Sequence, residues 1–392
     1  MLTALAVANY RSLLNVVAPL EGLNVVSGPN GSGKSNLYRA LRLLAETSKG
    51  GVVNALAREG GLSSTFWAGP ETLSREMKRG EVPVQGGPRA QAVKMRMGFA
   101  DEEFGYSISL GLPGSSGSNL GAKSKFTKDP EIKRECIWAG PIARPASLLL
   151  DRQGPSVKIR EGRSWKVLPN RIPTYESIFS EAIDPDAAPE LLALRQRIQS
   201  WRFYDHFRVD ETAPARSPQI GTRTPVLSAD GHDLAAALQT IVEIGDHEAL
   251  AEVIDDAFPG ARLTIEEHGE ARFVIEFRQP GLLRPLSAAE LSDGTLRYLC
   301  WVAALLTPRP PPMMVLNEPE NSLHPDLLPA LARLILRAAE HSQIWVVTHA
   351  SRLIAALNKA PQCNGIELEK ELGETVIQGQ GPLDGPAWNW ID

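Results

Sequence analysis

Cysteine is scarce in this chain. The three residues, Cys136, Cys300 and Cys363, are far apart and odd in number, so they supply neither a disulfide framework nor the paired spacing of a metal site. A reducing, cytoplasmic compartment is the expectation. No apolar run reaches the roughly 18 residues that a spanning helix needs, so no membrane partner is expected. Met1 to Val7 is apolar but lacks a basic segment and runs straight into Asn9, Tyr10 and Arg11, which reads as a strand and not as a secretory leader. Sustained heptads and internal repeats are missing too, which excludes a long coiled-coil arm and a solenoid. Charge of one sign is not in excess: 41 Lys and Arg against 46 Asp and Glu leave a net charge of −5. The whole molecule therefore carries no polycationic signature, although a local basic patch is compatible with that balance. What remains is an ordinary globular composition, 43% hydrophobic and 22% charged over 392 residues, enough for one large domain or two to three smaller ones.

The first block reads as strands over Leu2–Val7, Leu13–Ala18 and Leu23–Ser27. A glycine-rich turn follows, then a helix over Lys34–Thr47 with Leu37, Leu41, Leu44 and Ala45 at helical spacing. Short β-like runs at Ala92–Phe99 and Tyr106–Leu110 lie among turns. Residues 186–207 look helical, 232–258 read as two helices, and Arg262–Glu267 and Ala271–Arg278 as a hairpin turning at His268-Gly269-Glu270. A helix over Leu296–Leu306, strands at Met313–Leu316 and Ile344–Val347, and a helix over Pro325–Glu340 return the chain to α/β.

Gly28-Pro29-Asn30-Gly31-Ser32-Gly33-Lys34-Ser35 fits the pattern G-x-x-x-x-G-K-[ST] without a mismatch. Glycines let successive backbone N–H groups curl around phosphate oxygens. The N-terminus of the following helix, which runs on through Asn36, favours an anion. In this pattern Lys34 reaches the β- and γ-phosphates and Ser35 offers a hydroxyl to Mg²⁺. Met313-Met314-Val315-Leu316 then suits a strand buried on both faces. It ends in Asn317-Glu318, placing Glu318 to orient water for attack on a γ-phosphate.

Three further segments carry a family resemblance. Leu291-Ser292-Asp293-Gly294-Thr295 resembles the L-S-G-G-Q signature of ABC-type ATPases. Glu320-Asn321-Ser322-Leu323-His324-Pro325 looks like their D-loop, and Thr348-His349-Ala350 occupies the place of a switch histidine. In that order the chain resembles the SMC/RecF-like branch, and most nearly its stand-alone bacterial AAA-family members, related to the OLD-type and anti-phage ATPases. Val7-Ala8-Asn9-Tyr10-Arg11-Ser12 is similar to that branch's N-F-R-S start, and Tyr204 to Leu238, with Asp230-Gly231-His232-Asp233-Leu234, also resembles it. Leu291 follows Lys34 by 257 positions, a longer spacing than a transport ATPase usually has.

The resemblance implies an α/β P-loop NTPase: an ABC/SMC-type head with a core over 1–70 and 285–392, a β-rich insertion over 71–170, and a helical lobe with a hairpin over 171–284. It implies ATP and Mg²⁺ as ligands and a homodimer formed on ATP binding. Gly28 to Asn36 of one protomer would hold the triphosphate, and Ser292 and Gly294 of the other would cover the γ-phosphate. Glu318 would polarise water, His349 would hold it, and Arg11 is a candidate phosphate contact. Ser35 and Asn317 form the metal set. Asn317 replaces the usual aspartate, so weaker Mg²⁺ binding is expected. Gln85 and Gln91 are candidates for the glutamine that completes the metal shell. Lys123 to Arg171 holds twelve Lys and Arg against five acids, with Phe126, Trp138 and Trp165 interleaved. That segment reads either as a solvated β-rich face or as a surface for DNA, RNA or an acidic partner. Two functions remain open: an ATPase in DNA repair or phage defence, or an ATP-binding switch that recruits an effector protein.

Overall fold

The computed structural model describes residues 1–70, 74–85, 93–113, 125–169, 171–180, 188–381 and 384–391. In chain order come β1 (Leu2–Tyr10), β2 (Leu13–Pro19), β3 (Leu23–Ser27), α1 (Lys34–Thr47) and the short helices α2 (Val52–Arg58), α3 (Leu62–Thr65) and α4 (Arg75–Lys78). Next are β4 (Met95–Asp101), β5 (Phe104–Gly111), β6 (Glu131–Ala139), β7 (Leu148–Gln153), β8 (Ser156–Glu161), β9 (Ser164–Val167), α5 (Pro189–Gln199) and β10 (Arg202–Tyr204). Then β11 (Gln219–Ile220), α6 (Leu234–Ile244), α7 (His247–Ala257), β12 (Arg262–His268), β13 (Arg272–Arg278) and β14 (Leu286–Ser287) lead to α8 (Asp293–Leu305). The chain finishes with β15 (Met313–Asn317), α9 (Leu328–Ala338), β16 (Gln343–Val347), α10 (Ser351–Leu357), β17 (Cys363–Glu371) and β18 (Glu374–Ile377).

Two compact units share these elements: residues 1–21, 28–200 and 366–392 in the first, and 22–27 and 201–365 in the second. These boundaries differ from the sequence-based division at 70, 170 and 284. The reason is strand pairing. In the first unit β4 to β9 do not stand apart; they extend the sheet begun by β1 and β2, in the order β2-β1-β4-β5-β6-β7-β8-β9, antiparallel throughout. β1 is central to its neighbours and almost wholly buried, which is why its sequence is a near-continuous apolar run without strict alternation.

The core of the second unit is a parallel set, β10-β15-β16-β3. Parallel strands are covered on both faces, and Met313 to Leu316 and Gln343 to Val347 are buried at every position. Each apolar side chain among them contributes on the order of 1.5–3 kcal/mol on leaving water. α6, α8 and α9 supply much of the apolar cover. The strand Arg202–Tyr204 corrects the helical reading of 186–207. The helix ends at Gln199, and the aromatic run that follows pairs with Met314 to Leu316, so tertiary pairing overrides the helical pattern. The register Asn317↔Val347 and Val347↔Val26 aligns the carboxyl ends of β15, β16 and β3. In open parallel sheets that edge is where ligands bind.

Among the described residues no helix is long and apolar enough to cross a membrane.

Candidate functional site

The loop between β3 and α1 belongs to the first unit. Gly28 and Gly33 have φ of +138° and +111°, which side chains rarely adopt. Space is also denied there: a Cβ on Gly28 would lie 2.2 Å from the Leu368 carbonyl oxygen, and one on Gly33 2.1 Å from Thr375 Oγ1. Gly31 has φ +80° but open space around it. Pro29 and Asn30 are exposed on the outer turn, as is Ser35, whereas Lys34 is buried. The Lys34 ammonium donates to the carbonyls of Gly28 (2.6 Å) and Pro29 (3.1 Å), inside the curve of the loop. Helix α1 has neither a side-chain cap at its N-terminus nor an acidic residue in its first turn. The Asn36 and Leu37 N–H groups donate to the Gly33 carbonyl (2.9 and 3.0 Å), and no side-chain cap or first-turn acid competes with an anion at this helix start.

A hydroxyl relay buttresses this loop. Asn36 Nδ2 donates to Ser12 Oγ (2.8 Å), Ser12 Oγ and Thr375 Oγ1 lie 2.7 Å apart, and Thr375 Oγ1 donates to the Ser32 carbonyl (2.7 Å). Each hydroxyl has one proton. Because the proton of Thr375 serves Ser32, Ser12 must donate to Thr375. The relay is therefore directional, and it ties the β1–β2 turn and β18 to the loop. Thr375 also donates its backbone N–H to the Ser12 carbonyl at 2.8 Å. The sequence pattern includes Ser12 but gives no hint of Thr375, which lies hundreds of residues away.

In the second unit, the aligned strand ends place Asn317, Glu318 and His349 together. Glu318 adopts φ +49°, a left-handed conformation costing on the order of 1 kcal/mol in a residue with a side chain. It is held there by its backbone N–H, which donates to the Val347 carbonyl (2.7 Å), and by Asn321 Nδ2, which donates to its carboxylate (2.8 Å). His349 Nδ1 lies 3.7 Å from Glu318 Oε1 and 3.4 Å from Glu320 Oε1. Glu320 is buried, and its Oε1 accepts from the Thr348 hydroxyl (2.6 Å) and from the backbone N–H groups of His349 (3.0 Å) and Ala350 (3.2 Å). Glu320 thus fixes the histidine loop, a role that its place in the D-loop pattern does not announce. Glu318 remains partly exposed, open to a water or substrate. Among the described residues no cluster of three His, Cys, Asp or Glu side chains could hold a metal. In the first unit the exposed Ser35 hydroxyl is an oxygen donor of the type that suits a hard cation.

Ser292 caps α8: its backbone is extended and its Oγ accepts from the Thr295 N–H (3.2 Å). Gly294 is required by close approach, since a Cβ there would sit 2.9 Å from the Ser322 carbonyl oxygen. Beside it the buried Arg297 donates to the Asn321 carbonyl (2.8 Å), joining the signature helix to the D-loop. Burial lowers the pKa of that guanidinium. Asp293 is met by Arg216, a residue that the sequence reading missed. An acid in place of a signature glycine was the available sign that a cation should lie nearby.

The other candidates fall elsewhere in the first unit. Arg11, also left-handed at φ +50°, pairs with Glu59 at 2.7 Å, and Tyr10 donates to the same carboxylate at 2.7 Å. Gln85 is exposed in irregular chain. Gln91 and Lys123 lie outside the described residues. In the basic segment Arg134 pairs with Asp151, and Arg152 is wholly buried against Glu135. Trp138 is buried and packs edge-on against Trp388. Trp165 is half-exposed beneath Arg160, and Phe126 is exposed.

Among solved structures, the SmcHead bound to the C-winged helix domain of ScpA aligns over 96% of this chain and 97% of its own, at 15% identity and a TM-score of 0.50. The SMC head domain from Thermotoga maritima aligns over 96% and 97%, at 15% identity and a TM-score of 0.48. At this identity the first of these likenesses shows the fold alone, that of an SMC head domain. Among curated protein sequences none matches. One family model, described as "AAA domain, putative AbiEii toxin, Type IV TA system", matches residues 23–355. Since that match spans most of the chain, the protein belongs to this AAA-domain family.

Proposed function

We propose that the chain binds ATP with Mg²⁺ and hydrolyses it to ADP and phosphate as a head-to-tail dimer. The observation that supports this most is Lys34. A buried ammonium bonded only to carbonyls, at the start of a helix without a cap or an acid, suits a polyphosphate. Gly28 to Asn36 would bind the triphosphate, and Ser35 with Asn317 would hold Mg²⁺, which would offset phosphate charge. Glu318 accepts a proton from the attacking water while His349 orients it, their mutual distance of 3.7 Å suiting a shared water. Ser292 and Gly294 of the partner close over the γ-phosphate, so a lone chain holds an incomplete site. Arg11 serves phosphate only after leaving Glu59.

The family's description, which names a toxin–antitoxin system, favours phage defence over DNA repair. DNA or RNA contact falls to the exposed side of the β8–β9 hairpin, where Lys158 and Arg160 pair across strands with Val167 and Trp165. A second reading, an ATP-gated switch that recruits an effector protein, is favoured by Asn317. A neutral amide holds metal-bound water by about 1 kcal/mol, against about 1.5–3 for a charged acceptor.

Steady-state phosphate release with Mg²⁺, with and without DNA, tests the proposal. Wild type turns over, Lys34→Met neither binds nor hydrolyses, and Glu318→Gln binds ATP without turnover. Asn317→Asp raises Mg²⁺ affinity about tenfold. Tight ATP binding with no turnover in Mg²⁺ or Mn²⁺ selects the switch; no ATP binding at all overturns both readings. A basic-face contact with nucleic acid weakens steeply with salt, and salt-independent binding removes it.

A further inference from the structure

We infer that Arg216 is a positioning residue that makes the signature face of this chain acceptable to a phosphate anion, by neutralising Asp293 and fixing Ser292 from both sides. The inference rests on the ATP-sandwich reading above.

An anion approaching the N-terminus of α8 meets Asp293 in its first turn. A carboxylate there suits the helix dipole but repels a phosphate seeking the same position. Asp293 is exposed, 62% by side chain, whereas Arg216 beneath it is only 9% exposed. One guanidinium nitrogen, Nη2, donates to Asp293 Oδ1 at 2.5 Å and to the Val209 carbonyl at 2.8 Å. The other, Nη1, donates to the carbonyls of Leu291 (2.7 Å) and Ala288 (3.2 Å). Nε donates to the Val209 carbonyl at 3.0 Å. All five N–H donors of the fork are engaged. The residues on either side of Ser292 are therefore bonded to one rigid, planar cation.

Two consequences follow. The charge of Asp293 is cancelled from below, leaving its upper side free of net repulsion. The extended backbone of Ser292, φ −63° and ψ 155°, is locked so that its hydroxyl stays at the surface beside Thr295. Lysine cannot reproduce this, because an ammonium lacks the fork that reaches a carboxylate and several carbonyls at once. Arg216 comes from the 3₁₀ turn Pro214–Arg216 in the connection between β10 and α6. That connection thereby acquires a role in the nucleotide-dependent step.

The test uses the full chain carrying Glu318→Gln, and reads the mass by light scattering as ATP and protein are titrated. ATP binding to the unassociated chain is followed separately with a fluorescent ATP analogue. Arg216→Gln is expected to weaken ATP-driven dimerisation at least about 30-fold, the effect of stranding one partner of a close charge pair, while analogue binding to the single chain is unchanged. Adding Asp293→Asn to Arg216→Gln should recover about tenfold or more of that loss, since neighbouring groups couple. Asp293→Asn alone, at an exposed position that tolerates substitution, should dimerise more tightly than the parent. Dimerisation of Arg216→Gln equal to the parent, or no recovery in the double variant, overturns the inference. If Arg216→Gln does not fold, as judged by circular dichroism, Asp293→Asn decides: weaker dimerisation than the parent overturns it. A parent that stays monomeric in ATP overturns the sandwich reading and this inference together. A parent that dimerises while the variants depart from these outcomes overturns this inference alone.

Discussion

Helices α1 and α8 both begin at a short segment suited to a phosphate, but they prepare their first turns differently. At α1 the preceding Gly33 takes φ +111°, no side chain caps the end and no acid enters the first turn. At α8 Ser292 is extended, its own hydroxyl caps Thr295, and Asp293 brings a negative charge that Arg216 must answer. The first end has no side-chain cap because its cap residue, Gly33, is a glycine. The second is already satisfied, and is suited to presenting a hydroxyl more than bare N–H groups. The comparison teaches that two helix starts of one chain prepare their first turns by different means, one by an uncapped glycine start and the other by a pre-positioned hydroxyl.

The strongest way to break the contrast is at its cation. Lys34→Met should reduce ATP affinity by about a thousandfold or more, because the only buried ammonium of the loop disappears; calorimetric titration reads this, and near-normal binding would move the phosphate site elsewhere. Next comes the glycine geometry. Gly33→Ala collides with Thr375 and strains φ, at a cost of at least about 2 kcal/mol, so the melting temperature should fall clearly. Gly31→Ala, with open space, should cost less; equal effects would remove the close-packing account. In the second unit, Glu320→Ala strands the Thr348 hydroxyl and two backbone N–H groups. Loss of bonds to a charged acceptor predicts turnover down about 10–100-fold with ATP affinity retained. A matching fall in affinity would show that Glu320 holds more than the histidine loop. The smallest effect belongs to Thr375→Val, which breaks the hydroxyl relay at nearly constant volume. It should cost about 1–3 kcal/mol of stability in denaturant titration, and no cost would make the relay incidental.

The contrast also explains what could be read from the sequence. The first helix start is local: eight consecutive residues state both its conformation and its charge. That Glu318 and His349 lie close together was legible for a similar reason, since strand ends in a parallel sheet fall at one edge. What stayed hidden depends on partners far along the chain. Arg216 acts across 77 positions and Thr375 across 343. Arg202 to Tyr204 became a strand only because β15 offers an edge. The basic segment looked more cationic in sequence than it is in space, because Arg134 and Arg152 are consumed by Asp151 and Glu135 and Trp138 fills the core. Composition counts charges without pairing them.

The central claim is that one chain's loop and another chain's signature enclose the same nucleotide. Light scattering on the Glu318→Gln chain, with and without saturating ATP and Mg²⁺, tests it most directly. The account predicts a single-chain mass of 42.6 kDa without nucleotide and twice that mass with it, the shift being lost when Ser292→Arg blocks the partner's surface. An unchanged mass at saturating ATP, with binding itself intact, would contradict it.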